Sequence, residues 1–413
     1  MALSGIQIYK LLPQTNCKEC GFPTCLAFAM KLAAKQVELS SCPHVTEASK
    51  AQLAESSAPP VRLITLKSKT QEVASGNEVV LFRHEKTFYR RPGVLIRVKD
   101  NLSADALKAL VAQADAYAVG YVGMDLTIDG FAVEAVSGNA AAFGAAVKAV
   151  RSLSARPLAL VSGDAAILSA GLAELAGERP LLCGADENNW EAMAALAKSS
   201  QAALAVRSAS LEGLAGLTEK IKAAGVEDLV LEPVSAGMSA GLAHNTLIRR
   251  LAIKKNFRAL GYPILCFAGI GTNSPLEESV AATQAIAKYA GFIVLDNFLP
   301  ELVYPLLVLR QNIYTDPQKP IQVQPGLYEI NSPKPDSPLL VTTNFSITYF
   351  SVANEVEGSG QPAWLLVVDA EGMSVLTAWA AGKFDADRIA KAVKGFNVAE
   401  KVAQKRVILP GHV

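Results

Sequence analysis

Between Val94 and Leu309 short, continuously apolar runs recur, each followed by an Ala- and Leu-rich stretch: residues 94–98 (VLIRV), 118–123 (AVGYVG), 158–163 (LALVSG), 180–185 (PLLCGA), 203–208 (ALAVRS), 228–233 (DLVLEP), 264–269 (ILCFAG) and 292–298 (FIVLDNF). Strands that are apolar throughout, rather than at alternate positions, have both faces covered, as in a parallel sheet flanked by helices. Eight such runs, each with helical material behind it, predict a (β/α)8 barrel over residues 61–315. A doubly wound open sheet is the alternative. Ahead of the barrel, LITLKSK and NEVVLFRHEKTFY, joined by Ala-Ser-Gly-Asn, read as hairpin strands within residues 63–92.

Breaker-rich stretches bound this region. Ser56-Ser57-Ala58-Pro59-Pro60 reads as a linker, and a hinge, after a small unit over residues 1–56. Residues 316–338 contain Pro317, Pro320, Pro325, Pro333, Pro335 and Pro338 and read as a second linker. Beyond it strands are expected at 339–345, 363–370, 374–379 and 406–409, with a helix near 385–394. That pattern predicts a C-terminal doubly wound α/β domain over residues 325–413.

Composition narrows the partners. The chain has 413 residues, 51% of them hydrophobic, with 39 basic and 38 acidic residues and a net charge of +1. No basic run or interleaved aromatic patch is present, which argues against a nucleic-acid partner. No apolar stretch approaches membrane-spanning length, so a cytoplasmic location without membrane insertion is expected. In a reducing compartment, clustered cysteines bind metal more often than they form disulfides.

Four of the six cysteines, Cys17, Cys20, Cys25 and Cys42, fall in the first 42 residues with C-x2-C-x4-C-x16-C spacing. Three packed thiols plus a distant Cys-Pro (Cys42-Pro43) is how cuboidal iron–sulfur clusters are commonly held. Structural zinc is the alternative. TCLAFAMKLAAK reads as a helix after Pro23, and if it ran on to Cys42 it would hold Cys25 and Cys42 roughly 25 Å apart. The chain must therefore turn back, near residues 35–38, to return Cys42 to the helix N-terminus, where the helix dipole and Lys18 favour an anionic cluster. Cys183 and Cys266 lie in core strands and read as small buried hydrophobes.

Barrel chemistry belongs at strand C-termini. The candidates there are Asp125, Asp164, residues 184–189 (GADENN), Glu232, Asn273, Asp296 and Asn297. They could grip a polar heterocycle such as a pterin, or they could merely cap the following helices. His44, His84, His244 and His412 are isolated, and the lone Gly-rich turn at 269–273 is weak evidence for phosphate.

The cysteine pattern with FPTCLAFA, followed by TTNFSITYF (342–350), VVDAEGMSVLTAW (367–379) and GKFDADRI (382–389), resembles the large (gamma) subunit of the corrinoid iron–sulfur protein of the reductive acetyl-CoA pathway. The resemblance covers essentially the whole chain; relatives continue past LPGHV, so truncation is an expectation here. It implies a methyl carrier that takes a methyl group from methyltetrahydrofolate through a separate methyltransferase and passes it to acetyl-CoA synthase. It also implies a [4Fe–4S] cluster on Cys17, Cys20, Cys25 and Cys42 that returns Co(II) to Co(I) with electrons from a low-potential reductant, and a small subunit as heterodimer partner. No His has Asp two residues before it and Gly three after, so a base-off, cobalamin-type corrinoid without a protein imidazole is expected. A pterin-dependent methyltransferase whose own barrel binds methyltetrahydrofolate is the alternative function.

In open α/β domains ligands lie at strand C-termini. The corrinoid contacts expected on that ground are Thr342, Thr343, Asn344 and Ser346 after one strand, Ala370, Glu371, Gly372 and Met373 after the next, and Leu340 for apolar contact. The alternative is that these residues only end strands.

Overall fold

The computed structural model describes every residue except 1–4, 34–36, 38, 48, 51, 52, 54–58, 86, 122, 123, 236, 317–320, 405, 412 and 413. Most of the expected turn at 35–38 and most of the expected hinge at 56–60 therefore lie outside the described residues. The chain divides into two compact units. One comprises Met1–Leu81, Pro92–Val111 and Asp129–Asn297, the other Phe82–Arg91, Ala112–Ile128 and Phe298–Val413.

In chain order the first unit contains helices α1 (Gly5–Leu11) and α2 (Cys25–Ala33) and the antiparallel hairpin β1 (Ile64–Lys67) and β2 (Glu72–Ser75). Strand β3 (Gly93–Lys99) and helix α3 (Ala104–Ala116) follow, with α3 running across the division between the units. The hairpin β4 (Val119–Tyr121) and β5 (Met124–Leu126) belongs to the second unit. The first unit then resumes with β6 (Gly130–Glu134), α4 (Ala140–Leu153), β7 (Leu158–Val161), α5 (Ala165–Ala173), β8 (Leu181–Ala185), α6 (Trp190–Ser200) and β9 (Ala203–Ser208). It closes with α7 (Leu211–Ala223), β10 (Leu229–Pro233), α8 (Met238–Lys255), β11 (Ile264–Phe267), α9 (Pro275–Ala287) and β12 (Ala290–Leu295).

Strands β3, β6, β7, β8, β9, β10, β11 and β12 pair in parallel and close into a barrel through β12 and β3. The interior alternates small and large side chains, with Ala132, Ala159, Ala203 and Ala205 interleaved with Leu95, Leu181, Leu265 and Phe292. Their neighbours Val94, Ile96 and Val98 are also buried, which is why the runs read as apolar throughout. The β1–β2 hairpin plugs the N-terminal end, with Ile64, Leu66 and Val73 inside the barrel core and Lys67 bridged to Arg179 just before β8. Its approach is so close that a Cβ at Gly291 would come within 2.5 Å of Ser75 Oγ.

Two expectations about this region are corrected. The run at 118–123 is not the second barrel strand; β4 pairs antiparallel with β5, and the barrel position is taken by residues 130–134. Tyr121 and Met124 are anchored in the second unit's core beside Val323, Tyr328 and Tyr349, so tertiary burial outweighs the strand's apparent fit to the barrel. The second hairpin strand is residues 72–75, not NEVVLFRHEKTFY. Val80 O accepts from Arg249 Nε at 3.0 Å and Nη2 at 2.6 Å, and Glu78 takes the same guanidinium at 2.8 Å. That carbonyl is committed to a side chain instead of a ladder. Arg249 and Glu78 are both more than nine-tenths buried, and Arg249 also stacks on Tyr289. Replacing Arg249 with Met takes the guanidinium away from a buried carboxylate and a buried carbonyl and is expected to cost about 3–5 kcal/mol, read as a lowered urea midpoint.

The second unit continues with α10 (Pro300–Ile313), β13 (Gly326–Ile330), β14 (Leu339–Thr343), α11 (Ser346–Gly358), β15 (Ala363–Val368), α12 (Val375–Ala380), α13 (Ala386–Gly395), α14 (Val398–Lys401) and β16 (Val407–Ile408). Its sheet runs β13-β15-β14-β16, with β13 antiparallel at one edge and the other three parallel. Side chains of α11 cover one face, and those of α12, α13 and α14 the other, a doubly wound arrangement. Two further corrections arise. The proline-rich stretch contains β13, and residues 374–379, expected as a strand, form α12. Val375 and Ala378, three apart, enter the same core, whereas Leu376 and Trp379 stay exposed, which is helical rather than alternating periodicity. Among the described residues no helix is long and apolar enough to cross a membrane.

Candidate functional site

The four N-terminal cysteines are free thiols. Helix α2 begins at Cys25 because Thr24 Oγ1 accepts from the Ala27 amide at 3.1 Å, an N-cap, while Asn16 Oδ1 accepts from the Cys25 amide at 2.8 Å. The loop before it needs left-handed backbone at Gln14, Asn16, Lys18 and Gly21, which curls residues 17–20 towards the helix start. The helix ends at Ala33, a 3-10 turn follows at Leu39–Ser41, and Cys42 packs in the same apolar cluster as Cys25, Phe28 and Ala29. The chain does return, as the spacing demanded. Cys20 sits at the edge of that cluster, and Cys17 is exposed beside Glu19 and His44, whose Nε2 lies 3.0 Å from the Glu19 carboxylate.

At the barrel's C-terminal mouth most of the strand-end candidates are already committed to holding the fold. Asp164 caps α5 through the Ala166 amide, and Asn189 ties the Gly163 and Gly184 carbonyls together. Asn273 is bound to Glu277, whose carboxylate also takes the Asn273 amide of the Gly-rich turn. Buried Glu278 accepts from the Asp296 amide and from Asn297 Nδ2. Asp125 lies in the β4–β5 hairpin and not at a barrel strand. What remains is a charged group inside the mouth. Arg97 Nη1 lies 3.2 Å from Asp296 and 3.6 Å from Glu134 and stacks on Phe267, while Arg207 lies 3.6 Å from Glu232.

Burial pushes the Glu232 carboxyl up to about 7, against the pull of Arg207 and Arg97. The same burial raises the flanking Cys183 and Cys266 thiols, the latter to about 11, so both are neutral. A carboxyl that holds its proton more tightly folded than unfolded stabilises the protein at low pH. That contribution falls as pH rises from about 4.5 to about 7, by about 3 kcal/mol in all. Glu232→Gln should erase this fall: urea midpoints of variant and parent should agree near pH 4 and separate in the variant's favour near pH 8.

In the second unit the expected corrinoid contacts gather at the C-terminal ends of β14 and β15. Thr342, Thr343 and Asn344 are buried, and the hydroxyls of Thr342 and Thr343 have no hydrogen-bond partner. Asn344 works as a brace. Its Oδ1 accepts from the Ala370 amide at 2.9 Å and the Gly372 amide at 3.0 Å, and its Nδ2 donates to Asp369 and Gln322. Glu371 is exposed and paired with Lys383 at 2.6 Å. Gly372 has φ +72°, and a Cβ there would lie 2.7 Å from the Gln322 side chain. Ser346 and Met373 are half-buried, and Leu340 packs on the α11 side. The segment carrying Gln322 is bridged to Phe345, and sequence reasoning missed it because it lies in the proline-rich stretch read as linker.

Residues 63–413 match the family described as "CO dehydrogenase/acetyl-CoA synthase delta subunit", and residues 12–44 match one described as "Putative Fe-S cluster". The chain is 45% identical over 413 residues to the corrinoid/iron-sulfur protein large subunit of Moorella thermoacetica, covering 100% of this chain and 92% of that one. It is 35% identical to the acetyl-CoA decarbonylase/synthase complex subunit gamma of Archaeoglobus fulgidus, covering 99% of this chain and 91% of that one. The chain belongs to the CO dehydrogenase/acetyl-CoA synthase delta subunit family.

Both candidate sites of this family member fit the groups expected of them. Four free thiols on a turn and a helix start, three of them at one apolar cluster, are donors of the kind an iron–sulfur cluster takes, and the N-terminal end of α2 favours the negative charge. Two buried hydroxyls without partners at a strand end are groups that a polar ligand would satisfy.

Proposed function

We propose that the protein is the large, gamma-type subunit of a corrinoid iron–sulfur protein, a methyl carrier whose cluster keeps its corrinoid reduced. The reading rests on one conjunction: four free thiols and two buried hydroxyls without partners at the end of β14 occur in a single chain of this family. It divides the chain into a cluster module at residues 1–56, a barrel at 61–315 and a corrinoid module at 325–413. A corrinoid held at the C-terminal ends of β14 and β15 would supply the cobalt that carries the methyl group, and a [4Fe–4S] cluster held by Cys17, Cys20, Cys25 and Cys42 would supply the electron that keeps it reduced.

The chain's own residues have positional tasks in this account. Asn344 fixes the 370–373 turn so that its backbone faces the end of β14. Thr342, Thr343 and Ser346 offer hydroxyls, Ala370 and Gly372 offer backbone without bulky side chains, Leu340 and Met373 offer apolar surface, and Glu371 is held aside by Lys383. Gln322 lies against Gly372, so a ligand at that turn would have to displace its side chain. The cluster module would have to exchange electrons with both a low-potential reductant and the corrinoid. A small subunit, a methyltetrahydrofolate methyltransferase and acetyl-CoA synthase complete the set of proposed partners.

In the alternative reading the barrel itself would bind methyltetrahydrofolate. Against it, Asp164, Asn189, Asn273 and Asn297 are committed to caps and loop braces. Corrinoid-loaded protein, with its small subunit, should transfer no methyl from methyltetrahydrofolate until the separate methyltransferase is added. Transfer without that enzyme would establish the alternative instead.

A further inference from the structure

Strands β10 and β11 share a single pair, Leu231↔Ile264, whereas β10 and β9 stay in register from Leu229↔Leu204 to Pro233↔Ser208. Above that pair the two strands part, and a cavity of about 300 Å³ opens between them and helices α8 and α9. Most of the wall is apolar: Leu265, Phe267, Ala268 and Ile270 from the β11 side, Ala281 and Ala285 from α9.

Two polar groups in this wall are unusual. Glu232 is 7% exposed, and among the described residues its carboxyl is held by an ion pair with Arg207 at 3.6 Å and by no hydrogen bond. Asn245, 4% exposed, donates from Nδ2 to the Lys288 carbonyl at 3.1 Å and the Cys266 sulfur at 3.7 Å, which leaves its Oδ1 as a buried acceptor without a partner. Buried polar groups are normally hydrogen-bonded, and a carboxyl held in an apolar recess by one long ion pair is a costly arrangement. Asn245 Oδ1 is an acceptor, and so is the Glu232 carboxyl once ionised.

We infer that this cavity is a binding site for a small aromatic amidine or amino-heterocycle, whose paired N–H groups face the Glu232 carboxyl while its ring lies against Phe267, Leu265 and the alanines of α9. A planar N–C–N donor pair matches a carboxylate in two parallel hydrogen bonds, and the volume admits one ring system with a small substituent. Cys266, a neutral thiol in the wall, offers no competing charge, and Arg207, also in the wall, selects against a second cation on the ligand. The site lies wholly within the barrel unit and does not depend on the methyl-carrier reading.

Benzamidine is a suitable probe, with benzamide as the neutral isostere, titrated calorimetrically into the full chain. One saturable site is expected, with benzamide at least about tenfold weaker. Glu232→Gln should remove the preference for benzamidine. Ala281→Phe, which fills the cavity and leaves Glu232 in place, should remove binding of both. Absence of saturable benzamidine binding, or binding that survives both substitutions, would overturn the assignment.

Discussion

Cys42→Ala should lose the iron of this protein almost completely, with a fall of at least about tenfold, because the binding energy of a metal group is also folding energy for the module that holds it. Cys42 is 6% exposed and packs with Cys25, Phe28 and Val45, so the substitution removes both a ligand and a core contact. The effect should stay local: the barrel's core is a separate cluster and its urea transition should not move. Cys17→Ala makes a sharper comparison. Cys17 is exposed, so its loss should remove iron with little change in packing. Anaerobically purified Cys17→Ala protein with a full complement of iron would contradict the four-thiol assignment.

Gly372→Leu should leave iron untouched and lower cobalt content about tenfold or more. Two costs combine. A left-handed residue with a Cβ is disfavoured by about 1–2 kcal/mol, and the Cβ would sit 2.7 Å from Gln322 before the rest of the side chain is placed. Each 1.4 kcal/mol is a factor of ten in affinity. Gly372→Asn separates the causes, since Asn tolerates the backbone and is short; it should retain cobalt better than Leu. Equal cobalt in parent and Leu variant would remove Gly372 from the corrinoid site.

Barrel strands were legible wherever burial on both faces made a run apolar from end to end, which covers every barrel strand except the second. That strand, GFAVE, is short and ends in Glu134, while the neighbouring AVGYVG carried the stronger pattern but is drawn into the second unit's core through Tyr121. Propensity cannot see such long-range competition. The iron–sulfur module was legible because four of the six cysteines fall in the first 42 residues, and residues 12–44 match the family described as "Putative Fe-S cluster". The end of β14 was legible as a strand end but not in its detail: that Asn344 is spent on bracing Ala370 and Gly372, and is itself tied to Gln322, depends on contacts 22 to 28 residues apart. The cavity beside Glu232 left no sequence signal beyond a carboxylate at a strand end, because it arises from two strands parting after Leu231.

The central claim is that one polypeptide holds both an iron–sulfur cluster and a corrinoid. Elemental analysis of the anaerobically purified chain with its small subunit, together with a visible absorption spectrum, tests it directly. The account predicts iron in about fourfold molar excess over cobalt, with both iron–sulfur and corrinoid bands in the spectrum. Stoichiometric zinc without iron, or iron without cobalt after corrinoid is supplied, would contradict it.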